Sequence, residues 1–227
     1  MKNNIIYHLL LLLLLMATMS FASCKDDEVV NSINKFCPDE NHPHAIDLGL
    51  PSGMLWACCN VYASSPEDYG GYFAWGETLV NRSYSWSGYT LKDEKGYYID
   101  IGSDIAGTQY DAAHVRWGGF WVMPSKEQQD ELRMNCTYTW TIKNGISGGQ
   151  FTGPNGGTIF LPAAGFRCND EPKAGDHFYV GYQGIYWSST QIPWNEYRAF
   201  YFSFNESGQY SNEEVRYIGL PVRPVSR

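Results

Sequence analysis

Residues 182–217 hold eleven aromatic side chains, and between them lie Gln191, Asn195, Glu196, Arg198, Asn205, Glu206, Gln209 and Asn212. Flat rings stack on sugar faces or fill protein hot spots, while amides and carboxylates beside them orient what is stacked. The chemistry of that mixture is recognition, and Trp194, Asn195, Tyr197, Tyr201 and Tyr210 are the candidate contact residues. The plainer reading is that many of these rings are core. From 197 to 204 the chain alternates, with Phe200, Phe202 and Phe204 on one face and Ala199, Tyr201 and Ser203 on the other. The Phe face is expected in the core and the Tyr/Ser face toward solvent or a partner.

Other chemistry is poorly served. No Ser/His/Asp order, metal triad or phosphate loop stands out, so no catalytic residue is assigned. Glu127, Asp130 and Glu131 fall on one predicted helix, where a solvated face explains them. Cys58 and Cys59 are adjacent and no C-x-x-C occurs, which disfavours zinc. His42 and His44 form an isolated H-x-H, read more readily as tether residues than as metal ligands. No cofactor or metal is expected.

The chain has 227 residues, with 16 Lys and Arg against 24 Asp and Glu, a net charge of −8. A nucleic-acid binder needs a concentrated basic face, and none is visible. Aromatics at 16% against only 18% charged residues exclude a disordered, solvating chain. The N-terminus has the build of a secretory signal: Lys2, an unbroken leucine run from Leu9 to Leu15, then small and polar residues up to Cys24. Phe21-Ala22-Ser23-Cys24 resembles a bacterial lipobox, which makes residues 1–23 a lipoprotein signal peptide and Cys24 the lipid attachment site. An ordinary cleaved signal is the alternative. Lys25-Asp26-Asp27-Glu28 is either solvated linker or, as it resembles, the signal that sends Gram-negative lipoproteins to the outer face of the outer membrane. The expected location is therefore the cell outer membrane, lipid-anchored and facing outward. Beyond Cys24 remain Cys37, Cys58, Cys59, Cys136 and Cys168, an odd number that leaves one thiol over in an oxidising compartment.

These residues need elements to place them. Residues 24–44 are polar, broken by Pro38 and Pro43, and read as a tether; residues 45–227 read as one domain. Short strands are expected at 46–48 and 54–61. Ser65-Pro66-Glu67-Asp68 has the order of a helix start, and Ser125 with Gln128 forms a capping box that opens a helix over 126–134. Residues 78–110 read as a long loop. Beyond the helix, Gly148-Gly149 and Pro154-Asn155-Gly156-Gly157 punctuate hairpins, and 185–190 and 197–204 read as strands. Two short helices followed by many short strands give an α+β fold.

Several landmarks recur in order: His44 to Ala57, Glu67 to Glu77, Asp111-Ala112-Ala113-His114, Trp121 to Ser125, Leu161 to Arg167, Tyr186 to Thr190 and Gly219 to Val225. Together they resemble the Fibrobacter succinogenes major paralogous domain family of gut bacterial lipoproteins. The resemblance implies a C-type-lectin-like fold, with two helices flanking a twisted antiparallel sheet and long loops at one end. It also implies a disulfide between Cys59 and Cys136, although Cys58 stands where relatives more often have Thr. Trp194-Asn195-Glu196 is similar to the Trp-Asn-Asp of calcium-binding lectins, but Gly153-Pro154-Asn155 is a poor substitute for the companion triplet. One incomplete motif does not supply the six to eight oxygens calcium takes.

Three functions follow as expectations. The first is a non-catalytic surface module for a glycan or protein ligand, whose C-terminal strand-loop region is a candidate for retroelement diversification. The second is a structural or fimbria-associated envelope subunit. The third is an enzyme related to formylglycine-generating enzymes, disfavoured because no cysteine follows Cys168.

Overall fold

Ser125 opens the longer helix as its sequence predicts. In the computed structural model, which describes residues 44–81, 83–169 and 177–227, Ser125 Oγ accepts from Gln128 N at 3.3 Å and Gln128 Oε1 accepts from Ser125 N at 2.8 Å. Two amides that the first helical turn cannot satisfy are thereby used. The signal peptide 1–23, Cys24, and all of the tether but His44 lie outside the described residues.

The elements run β1 (Ala45–Asp47), β2 (Leu55–Ala57), α1 (Ala112–Trp117), α2 (Lys126–Asn135), β3 (Thr137–Lys143), β4 (Ile146–Thr152), β5 (Thr158–Pro162), β6 (Gly184–Gln191), β7 (Arg198–Asn205), β8 (Gly208–Val215) and β9 (Val225–Ser226). The fold is mostly β with two short helices. Its strands form three small antiparallel sheets, β1-β2-β9, β3-β4-β5 and β6-β7-β8, in place of one twisted sheet. Isolated bridges join loop to loop at Phe73–Leu220 and loop to β9 at Val122–Val225.

One expected helix is a turn. At Ser65-Pro66-Glu67-Asp68 the Asp68 carboxylate accepts from Ser64 N, Ser64 Oγ and Gly70 N. Side-chain oxygens thus take the amides that a helix would have capped, a standard competition at Ser and Asp. The second helix is instead α1, capped by Asp111, whose Oδ1 accepts from Ala113 N and His114 N. Its Oδ2 accepts from Gly107 N and Met123 N, so one carboxylate ties the end of the long loop to the chain entering α2.

The alternation in β7 has a different outcome from the expected one-sided burial. Phe202 and Phe204 enter a core with Phe151, Tyr186 and Leu132. Ala199 and Tyr201 on the opposite face pack into a second core with Trp187, Trp75 and Leu220. β7 is the middle strand of its sheet and both faces are covered, which a period-two pattern alone cannot distinguish from a half-buried strand. Phe200, expected in the core, is half-buried near the surface.

Gly153 shows why Gly153-Pro154-Asn155 serves the fold. A Cβ at Gly153 would overlap the carbonyl of Leu48, so only glycine lets this turn lie against the strand edge. Asn155 Nδ2 donates to Asp47 O at 3.1 Å, and its Oδ1 accepts from Gly157 N at 2.8 Å.

Candidate functional site

Arg216 is 1% exposed, and its guanidinium lies 4.9 Å from the Trp75 ring, 4.8 Å from Tyr98 and 5.6 Å from Tyr89. Cation–π attraction in a desolvated setting favours such a cage. The fork is also used for hydrogen bonding. Nε donates to the Tyr89 hydroxyl at 3.0 Å, and Nη1 donates to Ile99 O at 3.4 Å and Glu196 O at 3.3 Å. The Tyr89 hydroxyl donates onward to Trp75 O at 2.7 Å, and Trp75 Nε1 to Ser188 O at 2.9 Å. Burial pushes the Tyr89 and Tyr98 phenols well above their usual range and the Arg216 charge only partly offsets it, so both stay neutral hydroxyls.

This cage joins the 75–99 loop to the turn between β6 and β7, and an aromatic platform results. Tyr98 lies 4.8 Å from Trp86 and 5.2 Å from Tyr197, while Trp86 meets Tyr217 edge-on at 6.4 Å. Lys92 Nζ sits 4.6 Å from the Trp86 ring and donates to Ser87 O at 3.3 Å, which holds the Trp86 turn in place. Tyr197 is 45% exposed, and Trp86 and Tyr97 also face solvent. Rings fixed by neighbours, with one face open, bind without first losing side-chain freedom.

Of the five sequence-predicted contact residues, Trp194, Asn195 and Tyr197 share the β6–β7 turn, while Tyr201 and Tyr210 lie apart from it. Trp194 is 76% exposed in the β6–β7 turn, edge-on to Phe200 at 6.5 Å, with Lys126 Nζ 5.4 Å from the Phe200 ring. Asn195 is in the same turn, where its Oδ1 accepts from Tyr197 N at 3.0 Å. Tyr197 joins the platform. Tyr201 is half-buried, 6.4 Å from Trp187, and burial raises its phenol. Tyr210 is 44% exposed opposite Ser203, five residues along β7 from Arg198, or about 17 Å from the Tyr197 end. Trp86, Tyr98, Lys92 and Arg216 are absent from that set. The cue available was the density of Tyr and Trp in the long loop around Lys92.

Cys59 and Cys136, paired by the resemblance, lie in different packing clusters and are not joined to each other. Cys59 Sγ points to Ala63 O at 3.8 Å, while Cys136 caps α2. On α2, Asp130 pairs with Lys126 and Arg133, and Glu131 accepts from Ser52 N and Oγ, so these carboxylates serve the fold. Among the described residues no group of three or more His, Cys, Asp or Glu is placed to hold a metal ion, and no helix is long and apolar enough to cross a membrane.

A family model described as a domain of unknown function (DUF8237) matches residues 84–225, more than half of the chain, and takes in the whole platform from Trp86 to Tyr217. No curated protein and no solved structure matches the chain.

Proposed function

The chain belongs to the DUF8237 family, and from that premise we propose that it is a lipid-anchored outer-membrane protein whose domain, displayed outward, binds a glycan or protein ligand without catalysis. The observation that carries this is the platform of Trp86, Tyr98 and Tyr197, fixed from below by Arg216. A C-type-lectin-like architecture is part of the proposal. Two short helices, antiparallel strands and the loop bearing Trp86 and Tyr98 support it.

The test is binding of the purified domain to an array of glycans and host glycoproteins, with calcium and with chelator. Selective binding lost in Trp86→Ala and Tyr197→Ala supports the proposal. Binding that survives both substitutions moves the site elsewhere, and silence across the array turns the reading toward an envelope subunit. Anchoring is tested separately: Cys24→Ala should release the protein from outer-membrane fractions, and retention would contradict a lipid anchor.

A further inference from the structure

We propose that Cys58 is a thiol–disulfide exchange site that takes a low-molecular-weight disulfide, with His44 as its proton acceptor. Cys58 N donates to His44 O at 2.9 Å, one step beyond the Ala45–Ala57 pair that ends the β1–β2 ladder. That bond sets the two side chains abreast, with His44 Nδ1 3.5 Å from Cys58 Sγ. A thiol beside an imidazole is the arrangement that delivers a thiolate nucleophile.

Cys58 also has somewhere to receive a reagent. It lines a cavity of about 570 Å³ whose walls include Ile46, Ile159 and Phe160 and whose rim carries Glu67, Lys143 and Gln150. The volume is of small-ligand size. The titratable and charged groups around Cys58 are the His44 imidazole, the Glu67–Lys143 ion pair at 2.7 Å in the cavity lining, and the Arg223 guanidinium, which donates to Cys58 O at 2.8 Å. Cys58 is itself only 5% exposed, so the cavity it lines, not surface exposure, sets it apart. Cys59 is fully buried toward Ala63, Cys168 packs in the core at 8% exposure, and burial with the charge of Glu131 pushes the Cys136 thiol up to about 11.

The step balances without a further oxidant. His44 takes the Cys58 proton and the sulfur attacks one sulfur of the incoming disulfide. A new S–S bond forms as the reagent's own S–S bond breaks, and the departing thiolate takes the proton from the imidazolium. The products are a mixed disulfide on Cys58 and one free small thiol.

The experiment exposes the full chain to a dipyridyl disulfide at neutral pH and follows adducts at each cysteine by fragment mass spectrometry over time. Cys58 should react at least about tenfold faster in the folded chain than in the urea-unfolded chain, the gain expected when a base-assisted thiol replaces a free one. His44→Gln should remove most of that gain, and Cys59→Ser should leave it intact. Reaction at Cys58 no faster than in the unfolded chain, or unaffected by His44→Gln, overturns the proposal. The wild-type comparison stands even if a variant misfolds.

Discussion

The guanidinium of Arg216 lies 4.8 Å from the ring of Tyr98, which it supports from the buried side while Trp86 and Tyr197 flank the same ring toward solvent. A charge that is 1% exposed is thus compensated by aromatic faces, two backbone carbonyls and a phenol. Arg216→Met should lower the unfolding free energy by about 2–4 kcal/mol, since it leaves those acceptors without a donor. Arg216→Lys should recover only part, because an ammonium cannot reach Tyr89, Ile99 and Glu196 together. Urea unfolding measures both, and a fully stable lysine variant would refute the cage as a stabilising device.

Ligand affinity should separate Tyr197 from Tyr210, two tyrosines of nearly equal exposure at opposite ends of the β7–β8 ladder. Tyr197→Ala should weaken binding about tenfold or more, as loss of a central aromatic contact does. Tyr210→Ala should leave it nearly unchanged. Titration of whichever array ligand binds gives the comparison, and equal losses would place the contact surface along the whole sheet.

The capping box of α2 and the strands around Phe151, Ile159 and Tyr186 are legible because local chemistry sets them: side chains close in sequence satisfy amides, and turn residues bound short apolar runs. Ser65-Pro66 misleads because the same Ser and Asp chemistry also builds a turn, and here the chain leaves it at once through Gly70, whose backbone lies close against the Val61 carbonyl. The platform is hardest to read. Tyr98 and Tyr197 are 99 positions apart, and their meeting depends on a buried arginine that in sequence resembles any other charge beside a polar strand.

Stability at acid pH should report the ion pair of Glu67 and Lys143. Burial pushes the Glu67 carboxyl up, but the Lys143 ammonium at 2.7 Å, together with hydrogen bonds from the Glu67 backbone and Ser65, holds the group below its ordinary range. The folded chain therefore binds fewer protons here than the unfolded chain. The contribution is full above the ordinary carboxylate range and is lost as pH falls through the lowered folded value. Lys143→Met should cost about 1 kcal/mol at pH 7, a modest figure because Lys143 is half exposed. The gap should shrink as the pH is lowered below the ordinary carboxylate range, and a gap of unchanged size in acid would assign the loss to packing.

Asp111 offers four acceptor contacts, to Gly107, Ala113, His114 and Met123 amides, and so both oxygens matter. Asp111→Asn must turn its NH₂ toward two donors whichever way the amide is placed. It should therefore lose about 2–3 kcal/mol, close to Asp111→Ala, whereas a helix cap alone would tolerate Asn well. Chemical denaturation of the two variants decides this, and near-wild-type stability of the Asn form would reduce Asp111 to a simple cap.

The pairing of β2 with β9 sets Leu55 opposite Ser226 and Trp56 opposite Val225. Contacts this remote in the chain carry the loop-closure entropy of nearly the whole domain before they return any energy, and topologies rich in them fold slowly. A chain emerging with its N-terminal part first would hold Trp56 and its neighbours without their partner strand until Val225 arrived. Until that moment the edge of β2 that β9 will cover is open to other strands, an unpaired edge of the kind that templates wrong pairing.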